Sequence, residues 1–142
     1  MFSELVNSAI AVLLIRTVTG ILFFFQGYDK LFNLKIVNIL RTFNDPLNKI
    51  HFPDFLLKPA ITLSSLIEMI CGLLLFFGLF KGPALYFLAI DMIFVAFIFS
   101  AVKPMWDMQY FFPRLLFVFI LLFIPAALDL FSFDYLIANV LK

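Results

Sequence analysis

Four apolar stretches, at about residues 5–27, 59–80, 83–101 and 110–131, are each long enough to cross a hydrocarbon layer about 30 Å thick, which takes about 20 residues of helix. Lipid offers no water to peptide groups, so every crossing segment must satisfy its own N–H and C=O groups by becoming a helix. The fold expected is therefore all-α: an integral membrane four-helix bundle forming a single domain over residues 1–142. Lys81 and Gly82 alone separate the second run from the third, which forces those spans into an antiparallel hairpin. Pro59, Pro83 and Pro113 sit where a first helical turn tolerates proline, and Pro125 should bend the far end of the fourth span.

Composition supports the same class. Hydrophobic residues make up 65% of the chain and charged ones 13%, with a mean hydropathy of +1.13, outside the range of water-soluble domains. Ten basic and nine acidic side chains leave a net charge of +1, so no polyelectrolyte surface points to nucleic acid. The partners expected are membrane lipid and other membrane-protein subunits or further copies of the chain. Cys71 is the single cysteine and lies in an apolar run, where it reads as a buried, inert thiol and forms no intrachain disulfide or redox pair. Met1-Phe2-Ser3-Glu4 lacks the basic start of a secretory signal, so the first apolar run is expected to persist as a span. The 22 phenylalanines read as core and lipid-facing filler.

Between spans one and two, Phe32, Ile36, Ile39, Leu40 and Phe43 share one helical stripe, opposite Lys30, Asn38, Arg41, Thr42 and Asp45. This predicts a short interfacial helix ended by Asn44-Asp45-Pro46, or a cap over the bundle mouth. Tyr28, Trp106, Tyr110 and Tyr135 fall at span ends, where amphipathic rings settle among headgroups. Four spans put both termini on one side. The other side holds Lys30, Lys35, Arg41, Lys49, Lys58 and Lys103, a bias that places the long loop in the cytoplasm.

The charges inside the apolar runs call for partners. Counted along each span, Arg16, Glu68 and Asp91 all lie roughly 14 to 16 Å from the long-loop side, near the midplane. An isolated charge there costs about 2.5–3.5 kcal/mol or more, so such residues face inward and pair. Arg16 is expected to meet Glu68, Asp91 or both, with Thr17, Thr19, Ser64 and Ser65 taking up remaining hydrogen bonds. Two ionised acids against one arginine would leave a net charge of minus one, making one acid a candidate to hold a proton. The cluster reads either as a device that fixes which helices meet or as a site for a headgroup, a quinone or a proton.

Arg114, beside Asp107 and Trp106, reads as a side chain snorkelling to the interface, with an inward role as the alternative. Gln26, Asp29 and Lys30 form a rim at the end of span one, where Gly27 admits close backbone approach, and Asp129 and Asp134 are expected to be solvated at the opposite end. His51, the sole histidine, cannot build a two-histidine site, and no metal is expected. Neither a phosphate-cradling glycine loop nor a serine, histidine and aspartate arrangement is present in the sequence.

Arg16, Gly20, Phe24, Gly27, Lys30, Leu31 and Phe32, in "RTVTGILFFFQGYDKLF", reproduce a spacing that resembles the first span of DoxX-like membrane proteins. Glu68, Gly72, Gly78, Leu79 and Phe80 ("EMICGLLLFFGLF") resemble the second span, and "DLFSFDYL" (Asp129 to Leu136) resembles the stretch after span four. The resemblance implies a four-helix protein of the bacterial inner membrane. It also implies links to quinone-coupled oxidation of sulfur compounds and to membrane redox-stress complexes. Three readings follow: a noncatalytic subunit of a multiprotein membrane complex, a quinone-interacting subunit of a membrane oxidoreductase, or a small proton or solute transporter. Catalysis by the chain alone is not expected, and quinone is the one candidate cofactor.

Overall fold

A computed structural model describes residues 2–39, 54–102 and 108–140, all helix, turn or coil with no strand among them. Helix α1 (Phe2–Tyr28) runs on through a π-helical segment, Asp29–Asn33. It is followed by α2 (Asp54–Phe77), α3 (Lys81–Val102), α4 (Met108–Phe123), a 3-10 turn at Ala126–Leu128 and α5 (Phe133–Val140). Among the described residues, three segments, Ser3–Asn33, Phe55–Phe77 and Lys81–Ile98, are long and apolar enough to cross a membrane, and Phe111–Phe123 is a shorter apolar helix. The chain is thus an all-α membrane helical bundle. Its core gathers Phe23, Leu75, Leu85, Leu88, Met92, Val118 and Leu121, while Phe25, Phe87, Ile93, Phe94, Phe97, Phe119 and Phe123 stay exposed on the outer faces, toward lipid.

Several boundaries differ from the sequence expectation. Helix α2 begins at Asp54, so Pro59 lies inside it, as Pro113 does inside α4. The turn of the α2–α3 hairpin is not Lys81-Gly82 but the segment from Gly78 to Phe80. Gly78 takes φ +69°; its N–H donates to Leu75 O at 3.0 Å and the Leu79 N–H to Leu74 O at 2.9 Å, the paired bonds of a Schellman cap. Gly82, by contrast, belongs to the first turn of α3 and faces open space. Helix α4 stops at Phe123 rather than bending, because Pro125 lacks an N–H and pushes the residue before it out of helical geometry. Of the interfacial helix, one turn at 36–39 is described, and Leu40, Arg41 and Phe43 lie outside the described residues.

Glycines set the register between α1 and α2. A Cβ on Gly20 would come 2.8 Å from Gly72 O and 2.6 Å from Phe76 N, and one on Gly27 would come 2.5 Å from Ser65 O. These backbones touch, as lipid-phase helix association favours. That register has a consequence for the charges: it sets Arg16 beside the last turn of α2 and Glu68 beside the end of α1. Arg16 and Lys30 stand about 21 Å apart along the same helix.

Candidate functional site: two charged layers and a lateral cavity

Among the described residues, Arg16 is held not by Glu68 or Asp91 but by the end of the α2–α3 hairpin. Nη1 donates to Leu75 O at 2.6 Å and Phe76 O at 3.0 Å, Nη2 donates to Phe131 O at 3.1 Å, and Nε lies 3.3 Å from Asp129 Oδ2. Both carbonyls belong to the last turn of α2 and carry the negative end of its dipole; Leu75 O accepts from Arg16 in addition to the Gly78 N–H. Gly78 makes room for the guanidinium, since a Cβ there would lie 2.6 Å from Nη1. Lys81 Nζ approaches the same Asp129 oxygen at 3.4 Å.

The segment after α4 completes this layer. Asp134 accepts the N–H groups of Phe80 and Lys81, both at 2.9 Å, and so caps α3 from another element. Ser132 accepts the Tyr135 N–H at 3.1 Å and donates to Asp129 O at 2.8 Å. Asp129 is 1% exposed, not solvated as its place at the end of the fourth span suggested, and two cations, Arg16 and Lys81, lie beside it. Nothing in the local sequence signals this pairing, because Arg16 and Asp129 lie more than a hundred residues apart and meet only through the packed helices.

The second layer lies at the other end of α1. Lys30 Nζ is 2.6 Å from Glu68 Oε2, and Arg114 Nη1 is 3.9 Å from Glu68 Oε1. Lys30, on the π-helical segment, is therefore a partner of a fully buried carboxylate rather than a rim residue, and Arg114 points inward rather than snorkelling. Asp91, 4% exposed, is hydrogen-bonded to Ser64 and interacts electrostatically with Glu68, Lys30 and Arg114. Its Oδ2 has no hydrogen-bond partner among the described residues. With Arg16 elsewhere and two other cations present, the layer is neutral with both acids ionised, instead of carrying the single negative charge that the linear count gave.

Among the described residues, Thr17, Thr19 and Gln26 take no part in either layer. Thr19 is buried but bonds its own helix, at Ile15 O (2.6 Å), and Thr17 and Gln26 are half-buried on α1. Asp107, Trp106 and His51 lie outside the described residues.

A cavity of about 370 Å³ opens between α2 and α3 at the second layer. Ala60, Ile61, Leu63, Ile67, Phe87, Ile90 and Phe94 supply apolar walls, and Lys30, Ser64 and Asp91 supply the polar groups. Leu63, Phe87, Ile90 and Phe94 are more than half exposed, so the mouth faces the bilayer. A smaller hollow of about 200 Å³ between α1 and α2, lined by Gly20, Phe24, Phe25, Phe76 and Phe77 among others, offers no anchoring group. Concave, mostly apolar sites with a few convergent polar groups are the usual form of small-molecule sites.

A family model described as DoxX matches residues 11–101, a range that includes Arg16, Lys30, Ser64, Glu68, Lys81 and Asp91. No curated protein and no solved structure matches the chain.

Proposed function

Since the chain belongs to the DoxX family, we propose that it serves as a quinone-interacting subunit of a bacterial inner-membrane oxidoreductase complex, with its long loop in the cytoplasm. One observation carries this reading: the α2–α3 cavity meets lipid at its mouth and ends on Ser64, Asp91 and Lys30. A quinone ring enters from the bilayer, its isoprenoid tail rests on Phe87, Ile90 and Phe94, and its oxygens reach the polar end. Quinone, when bound, supplies two-electron redox chemistry. The chain's own residues bind and orient the ring and keep water from it, and the group that exchanges electrons with it is assigned to a partner subunit.

The test is purification in mild detergent at native abundance. Stoichiometric partner subunits and extractable quinone are expected, and Ile90→Trp, at an exposed wall position, should deplete the quinone while leaving the partners. Quinone no more abundant than in a control membrane protein would overturn the reading. Partners without quinone would favour a second one, a purely scaffolding subunit, which the self-neutralised charge layers also support.

A further inference from the structure

We infer that the α2–α3 cavity selects the hydroxyl-bearing, reduced form of its ring ligand over the oxidised carbonyl form, and that Asp91 is the residue that distinguishes them. This rests on the quinone reading above and adds a preference to it.

The preference follows from hydrogen-bond roles. Asp91 lines the cavity, is 4% exposed and has a carboxylate oxygen with no partner among the described residues. An unpaired buried acceptor is costly and calls for a donor. A ring hydroxyl is a donor and an acceptor, whereas a ring carbonyl only accepts. Seated at Asp91, the hydroxyl forms a charge-assisted bond, and the carbonyl brings two acceptors face to face. The charged groups that surround Asp91 do not reverse this. Glu68 on α2 is bonded to Lys30 at 2.6 Å, with Arg114 at 3.9 Å, and Lys30, with three ammonium protons of which Glu68 holds one, can donate to either form of the ligand. Lys30 therefore anchors without discriminating, and Asp91 discriminates. Two cations, Lys30 and Arg114, interact electrostatically with Asp91, alongside the Glu68 carboxylate.

The experiment measures binding to the full chain in lipid nanodiscs under anaerobic conditions. Its probes are a decyl-tailed benzoquinone, the matching hydroquinone, and a redox-inert pair, para-decylphenol and its methyl ether. The hydroquinone and the phenol should each bind about tenfold or more tighter than their counterparts, the worth of one bond to a charged acceptor. Asp91→Asn, whose amide both donates and accepts, should reduce that ratio to within about threefold. Ile90→Trp should weaken all four probes. Equal affinities for both members of each pair in the unaltered protein would overturn the inference while leaving the quinone reading standing. Binding of none of the probes, or binding indifferent to Ile90→Trp, would overturn both. If Asp91→Asn fails to fold, the phenol-to-ether ratio of the unaltered protein decides alone.

Discussion

Arg16 Nε and Asp129 Oδ2 lie 3.3 Å apart, with each side chain 1% exposed, and so tie the first membrane helix to the segment that follows the fourth. The pair is buried, and removing one member of such a pair leaves an uncompensated charge at a cost of about 3–5 kcal/mol. Asp129→Leu should therefore lower the unfolding free energy in detergent by about that amount, since Arg16 and Lys81 would face each other without their shared carboxylate. Arg16→Met added to Asp129→Leu should cost clearly less than the sum of the two single changes, which equilibrium unfolding of all three variants would reveal.

Gly20 and Gly72 lie where the backbones of α1 and α2 touch. A methyl group at either would press on backbone atoms of the other helix at 2.8 Å, and backbone cannot step aside as a side-chain tip can. Gly72→Ala is expected to destabilise by about 1–3 kcal/mol through overpacking. Gly82→Ala meets nothing within 4 Å and should be neutral or slightly stabilising. Equal thermal midpoints for the two variants would contradict this reading of the helix contact.

Asp134 holds the N–H groups of Phe80, the last residue of the hairpin turn, and of Lys81, the first of α3. Asp134→Ala should cost about 1 kcal/mol, as loss of a cap does, and Asp134→Asn, which retains one acceptor oxygen, should cost less. Faster amide exchange at Phe80 and Lys81 in the alanine variant would locate the effect.

Glu68 is fully buried and depends on Lys30 at 2.6 Å more than on Arg114 at 3.9 Å. Lys30→Met should destabilise by about 3 kcal/mol, the lower end of what removing one member of a buried pair costs, because Lys30 is partly exposed and Arg114 remains 3.9 Å from Glu68. Adding Glu68→Gln should restore most of that loss, because an amide is much cheaper to leave buried than a carboxylate. A double variant no more stable than Lys30→Met would show that the ion pair is not what holds this end of α1.

Cys71 is 5% exposed within the core. In folded protein it should resist a maleimide over hours and label quickly once the bundle is denatured, so its labelling rate reports unfolding in every variant above. Rapid labelling of the folded protein would place Cys71 elsewhere.

The four apolar runs alone required helices, since lipid leaves peptide groups no other way to be satisfied. Buried charges likewise required partners, and Arg16, Glu68 and Asp91 stand out in the sequence for that reason. Which charge meets which was decided by tertiary structure. Linear counting assumes that spans begin and end at matched depths. Glycine contacts at Gly20, Gly27 and Gly72 slide α1 along α2, and at about 1.5 Å per residue a shift of a few positions separates Arg16 from Glu68 entirely. The chain's own turns did the rest: Gly78 ends α2 early enough to expose carbonyls to Arg16, and Pro125 ends α4 so that Asp129 folds back beneath it. Polarity is a property of residues, and so the need for pairing is legible in the letters. Register depends on how closely two backbones approach, and only the packed helices fix that.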